Sequence, residues 1–501
     1  MSTQVAQNQI FGKSNYLLKT IIGLAILVLC WILPPFAKLT PVGMKLLGLF
    51  IMVIYFCIVN IAAWPNIIAV FIMSFLLMDI YPNTVGNALY RAVELSWGYN
   101  IIIFVIASLF ITYALTEAGF MNRIANWLMG LKFARKSPWR FTFTLLFVTL
   151  FIGLWFDPTA TLLFSLAFSK VIFEKLGMKK GEKYPSMVVI GISFSVIIAF
   201  TMTPISHPLP ILALGLYQKM TSIPINFVTY MALGIPVGVV CFAGLLAILR
   251  FTVKPDMKKL EDADLDAILD RKNEPMQGRE LLTVIVSLLI FASWLLAGFL
   301  NVFAAGSVLA GLLTRITTLG SATVGVSLLA MIKVGGKPLM PFEQGMKNGV
   351  NWSIVVLLAA LFMLGNSLAE PTTGFNASIV GFLAPFINSG LSRFVTMVIL
   401  MVIISILTNM INSIPVVMLF LSVCLPLSAN LGMTPLCLAL LVTIAGELAF
   451  AVPSSFPTIT MTYGDEWTQP KLIFRCGVIM MVWCMIVMAI VGYPLAKLMF
   501  S

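Results

Sequence analysis

Two long apolar segments of this chain are each interrupted midway by polar residues that break helices. The first, FTFTLLFVTLFIGLWFDPTATLLFSLAFSKVIF, carries Asp157, Pro158 and Thr159 at its centre, and the second, FVTMVILMVIISILTNMINSIPVVMLFLSVCLPL, carries Asn412, Ser413 and Pro415. Further along from each lies another interrupted apolar stretch: FTMTPISHPLPIL around His207, and AFAVPSSFPTITM around Ser454. Irregular polar backbone at membrane depth persists only where protein buries it or where it lines a wet cavity. Two such interruptions at corresponding places of two chain halves point to the substrate site of a secondary transporter.

The rest of the chain fits that setting. It is 60% apolar and 10% charged, with a mean hydropathy of +1.03, whereas soluble domains are about half apolar and about a quarter charged. Its apolar runs reach the roughly 20 residues that a membrane helix needs, not the alternation over about ten residues of a barrel strand. The expected fold class is an all-α polytopic membrane protein with about eleven transmembrane helices plus two re-entrant hairpins. The net charge of +12 does not indicate nucleic acid, because the basic residues form short clusters between apolar runs, as cytoplasmic loops do. No cleavable signal is evident: the run after Lys13 and Lys19 continues into further spans. Six of the seven cysteines lie inside apolar runs and Cys476 lies at a span edge, without metal-ligand spacing, so packing is the expected role and no metal or cofactor is expected.

Charge orders the spans. The first hairpin, 140–176, has Arg123, Lys132, Arg135, Lys136 and Arg140 before it and Lys170, Lys175, Lys179, Lys180 and Lys183 after, so both ends are expected in the cytoplasm. The second hairpin, 393–429, has only Arg393 before it and no charge in SANLGMTPL after it, so both of its ends are expected outside. Hairpins entering from opposite faces are what an inverted repeat produces. The expected organisation is N-terminal scaffold helices over 1–98, a first repeat over 99–250 with its broken helix at 186–220, a cytoplasmic linker over 251–280, scaffold helices over 281–349, and a second repeat over 350–501 with its broken helix at 435–462. The N-terminus then lies inside and the C-terminus outside a cell membrane.

A broken helix frees N–H groups at one half-helix start and C=O groups at another half-helix end, and the N-terminal ends attract anions. Thr159 and Thr161 can start the second arm of the first hairpin, and Ser413 that of the second. Thr203 and Ser206 flank one broken-helix turn; Ser454, Ser455 and Thr458 flank the other. His207, the only histidine, is either held by a backbone carbonyl or serves as a donor or proton carrier for a bound carboxylate. Asp157 either pairs with His207 or caps the helix arm that follows it. Glu447, inside a span, is a proton site or a structural acceptor, and Glu117 lies near enough to a span end to snorkel.

These residues resemble the divalent-anion/sodium symporters, the INDY-type carboxylate transporters of the ion-transporter superfamily. WFDPTATLL and LTNMINSIPVV take the places of that family's two hairpin tips, and TPISHPLPILALGL and AFAVPSSFPTI those of its broken-helix turns. The resemblance implies that Thr159, Asn412 and Ser413 touch substrate, that Ser206 and His207 stand at the first turn, and that Pro457 faces substrate at the second. The implied substrate site comprises Asp157, Pro158, Thr159, Thr203, Ser206, His207, Asn412, Ser413, Ile414, Ser455, Pro457 and Thr458. It also implies an elevator movement of a transport block against a scaffold, in a homodimer. The tips differ from the family's where that family holds sodium, so sodium-independent exchange or proton-coupled transport of a small dicarboxylate is expected. Sodium-coupled uptake of a dicarboxylate, citrate or sulfate, and an anion channel, are the alternatives. An enzyme is not expected, because no HExxH, no acidic DxxD pair at a membrane edge and no Gly-x-Ser-x-Gly is present.

Overall fold

A computed structural model describes residues 16–59, 64–80, 88–223, 226–263, 275–304, 306–368, 370–375, 377–378, 381, 392–429 and 431–500. Part of the expected linker (264–274) and the segment before the second hairpin (382–391) lie outside them, as does Lys13.

In chain order the first helices are α1 (Tyr16–Ile32), α2 (Pro41–Ile58), α3 (Trp64–Ile80), α4 (Ala88–Ser96), α5 (Asn100–Glu117), α6 (Phe120–Met129), α7 (Pro138–Gly153), α8 (Pro158–Lys175), α9 (Lys183–Met202), α10 (Pro208–Thr221) and α11 (Phe227–Ile248). After them come α12 (Gly278–Phe303), α13 (Val308–Met331), α14 (Trp352–Leu368), α15 (Arg393–Met410), α16 (Ser413–Cys424), α17 (Pro435–Glu447), α18 (Pro457–Tyr463), α19 (Pro470–Val487) and α20 (Tyr493–Phe500). A two-stranded ribbon pairs Lys333–Val334 with Lys337–Pro338. Among the described residues of the expected linker, Lys258–Glu261 forms a short helix. Among the described residues, seven helices are long and apolar enough to cross a membrane. The helices α4 and α6 are too short to cross a bilayer alone. Each is short and two-faced: α4 buries Ala88, Ala92 and Leu95, and α6 buries Met121, Ala125 and Leu128.

The chain divides into two compact units, residues 1–99 with 352–389, and residues 100–351 with 390–501. In the first, α14 packs on α2, α3 and α4, and Phe362 stacks on Tyr99 at 4.8 Å. Thr40 caps α2 by accepting from the Gly43 N–H at 3.1 Å, and its own hydroxyl donates to the Thr372 carbonyl at 2.8 Å.

The second unit contains the four helix interruptions, and its packing repeats. The helices α7 and α8 pack on each other and on α9, as α15 and α16 pack on each other and on α17. The short half of each broken helix crosses to the other set: α10 packs on α16 and α17, and α18 packs on α8 and α9. The following helices, α11 and α19, pack together. Both use glycine to approach a helix end. A Cβ on Gly234 would sit 2.9 Å from the Met202 carbonyl oxygen that ends α9, and one on Gly477 would sit 2.5 Å from the Phe450 carbonyl oxygen beyond α17.

The breaks follow from a single local device. Proline is accepted in a helix's first turn, where no N–H is needed, and it forces the residue before it out of helical geometry. Asp157, His207 and Phe456 all precede proline and have ψ of 135°, 137° and 149°. At α16 the proline comes two residues later, at Pro415, and Asn412 takes ψ of 133°.

Candidate functional site

At the first hairpin tip, Asp157 caps α8: its Oδ1 accepts from the N–H groups of Thr159 at 2.9 Å and Ala160 at 3.0 Å. At the second tip, the Asn412 Oδ1 accepts from the Ile414 N–H at 3.1 Å. Such caps stabilise a helix by about 1 kcal/mol each. They also occupy backbone donors that the sequence reading reserved for an anion, so what the two tips offer is mainly side-chain hydroxyl.

His207 is not paired with Asp157, although it lies within electrostatic range of it. Its Nδ1 shares a hydrogen bond of 2.8 Å with Glu447 Oε1, with Glu447 fully buried and His207 11% exposed. The pair joins the start of α10 to the end of α17 and so couples the two repeats. Phe200 stacks on the imidazole at 4.5 Å and Phe456 meets it edge-on at 5.7 Å. Holding the ring between two aromatic walls fixes its orientation and limits water access to the contact with Glu447. Tyr230 on α11 is fully buried and lies within electrostatic range of Glu447.

The second turn is tied down by residues outside it. The Asn409 Oδ1 on α15 accepts from the N–H groups of Phe450 at 2.8 Å and Ala451 at 2.9 Å. Ser454 donates to the Met410 carbonyl at 2.8 Å and Tyr463 to the Ala451 carbonyl at 2.7 Å. Ser455 bonds within the turn, to the Val452 carbonyl at 2.8 Å. The shorter first turn holds itself, with Thr203 Oγ1 accepting from the Ile205 N–H at 3.2 Å. Of the remaining expected residues, Pro158 and Pro457 begin α8 and α18, and Ile414 is buried in the first turn of α16.

Each interruption also presents one buried hydroxyl with no hydrogen-bond partner: Thr161 beside the first tip, Ser206 in the first turn, Ser413 at the second tip and Thr458 beside the second turn. Glu447 Oε2 and the Tyr230 hydroxyl share this state. Buried polar atoms are nearly always satisfied, and each orphan costs about 1–3 kcal/mol. Ser193, Ser195, Ser287, Asn366 and Ser367 are orphaned elsewhere, whereas these four lie in, or within four residues of, a helix break. Among the described residues, no group of three His, Cys, Asp or Glu side chains could hold a metal ion.

Asn409 and Tyr230 were not among the expected site residues. Asn409 could have been suspected from LTNMINS, where an amide lies one helical turn before the tip. Tyr230 carries no local signal; only the fold brings it towards Glu447.

Apolar helices interrupted at buried polar turns, arranged in a repeated order, define a multi-pass secondary transporter. The chain belongs to the citrate transporter family CitMHS, whose model matches residues 9–445. It is 24% identical over 371 residues to an uncharacterized transporter of Haemophilus influenzae, covering 74% of this chain and 75% of that one. It is 28% identical over 144 residues to an uncharacterized transporter of Synechocystis, covering 29% and 22% of the two chains. The fold is similar to the crystal structure of the Alcanivorax borkumensis YdaH transporter, with a TM-score of 0.56, 13% identity, and coverage of 89% of this chain and 98% of that one.

Proposed function

We propose that this protein carries a small di- or tricarboxylate anion of the succinate, malate and citrate class, bound among the four interruptions of the larger unit. The observation that carries this reading is the set of four partnerless hydroxyls, Thr161, Ser206, Ser413 and Thr458, one from each break. A carboxylate accepts several hydrogen bonds at once, and charge-assisted bonds are about twice as strong as neutral ones. With His207 Nδ1 committed to Glu447, Nε2 is the ring nitrogen left to meet a cargo oxygen. Asp157, Pro158, Thr159, Thr203, Asn412, Ile414, Ser455 and Pro457 shape the turns that hold these donors.

The family's description supports citrate as one member of the cargo class. Coupling runs through exchange of one carboxylate for another, or through a proton held by the His207–Glu447 pair, and needs no sodium. The hairpins and broken helices move as one block by an elevator step, in a homodimer whose N-terminus is cytoplasmic. The test is counterflow in liposomes with labelled succinate, malate, 2-oxoglutarate and citrate, with and without sodium. Accelerated uptake into vesicles preloaded with unlabelled carboxylate, unchanged without sodium, is expected. Uptake that strictly requires sodium contradicts the coupling, and absence of counterflow for every carboxylate contradicts the cargo.

A further inference from the structure

A cavity of about 620 Å³ lies in the larger unit beside the first hairpin tip, and its lining does not include His207, Glu447, Phe200 or Phe456. Phe120 and Trp127 of α6, Trp155 and Phe156 before the tip, and Phe291 of α12 form much of its wall. Among the described residues of that wall, Arg123 is the one that is ionisable. The volume is that of a small-molecule site, about 300–1,000 Å³, yet the lining offers almost no hydrogen-bond partner, so a multiply charged carboxylate gains nothing by entering. A hydrocarbon chain does.

Two further observations choose the occupant. Trp127 is 64% exposed and Leu288 of α12 is 43% exposed, so the wall reaches the surface that this membrane protein shows to its surroundings. Exposed Trp127 on α6 is of the residue type enriched at membrane–water interfaces. Residues 118–156 contain Arg123, Lys132, Arg135, Lys136 and Arg140 and no Asp or Glu. Glu280, at 2.8 Å, fixes the Arg123 guanidinium at the cavity. A basic segment beside an apolar pocket suits an anionic headgroup with its acyl chain inside. We propose that the cavity binds one acyl chain of an anionic phospholipid from the surrounding bilayer, with the phosphate at Arg123. The chain end would touch Trp155 and Phe156, the residues immediately before the Asp157 cap.

The test is tryptophan quenching of the full-length protein in phosphatidylcholine vesicles doped with phosphatidylglycerol or phosphatidylcholine brominated along the acyl chain. The anionic lipid is expected to quench at about a fivefold lower mole fraction, the effect of one basic residue at a membrane surface. The preference should vanish in Ala292→Phe, which fills the cavity from α12, and in the Trp127→Phe/Trp155→Phe variant, which removes the reporters. Arg123→Gln should keep quenching but lose the headgroup preference, which tests the site even if the cavity-filling variant fails to fold. Equal quenching by both lipids, a preference that survives Ala292→Phe, or quenching by brominated free fatty acid where phosphatidylglycerol has no effect would overturn the proposal.

Discussion

The two repeats of the larger unit share a packing plan but not their chemistry. Each sets a hairpin against the long half of a broken helix and sends the short half to the opposite hairpin. In the first repeat the tip cap is a carboxylate, Asp157, and the turn of residues 203–207 carries the histidine. In the second the cap is an amide, Asn412, and the longer turn of residues 448–456 needs Asn409 and Tyr463 to hold it. The lesson is that backbone geometry repeats where a helix must break inside a membrane, whereas the charges are distributed once across the pair. Glu447 from one repeat meets His207 from the other, so neither half is electrostatically complete alone.

The largest expected effect breaks that sharing. His207→Ala leaves Glu447 buried without its partner and should destabilise the protein by about 3–5 kcal/mol, read as a lower unfolding temperature in detergent. Adding Glu447→Gln should recover more than half of the loss; simply additive losses would mean that the two residues act separately.

Next comes the clasp that only the second turn possesses. Asn409→Ala strips two buried N–H groups of their acceptor and should cost about 1–3 kcal/mol per group left unsatisfied, while Asn409→Asp should retain most of the stability. An alanine variant as stable as the wild type would show that the second turn holds itself as the first does.

The tip caps give a smaller effect. Asp157→Ala should cost about 0.5–2 kcal/mol, whereas Asp157→Asn should be close to neutral because the two cap equally well. If Asp157→Asn keeps stability but abolishes counterflow, the tips are not interchangeable and the carboxylate itself serves transport. The smallest effect is expected at the surface between α18 and α19. Lys180 holds the Glu466 carboxyl below its ordinary range, so this pair's contribution is present above that range and lost as pH falls through it. The pair is exposed, and Glu466→Gln should leave the unfolding temperature within error from pH 5 to 8.

How much of this was legible follows from residue types. The helical class could be read from apolar runs without strand alternation, and the interruptions from Pro158, Pro208, Pro415 and Pro457, because proline lacks a backbone N–H and restricts its predecessor's conformation wherever it stands. The caps were partly legible: Asp before Pro-Thr is a local signal, and the structure gives Asp157 the capping role in place of a bond to His207. The His207–Glu447 contact was not legible, since 240 positions separate the partners and no spacing rule joins them. Nor was the exchange of short half-helices between hairpins, which depends on packing between segments far apart in sequence.

The most direct test of the central claim is substrate protection at the four orphan hydroxyls. Cysteine is introduced singly at Thr161, Ser206, Ser413 and Thr458 in a background without the native cysteines, and reaction with a small thiol reagent is followed with and without citrate or succinate. A single site made from both repeats predicts that one carboxylate slows labelling at positions from both halves, with the same half-protecting concentration. Protection confined to one repeat, or at none of the four, would contradict it.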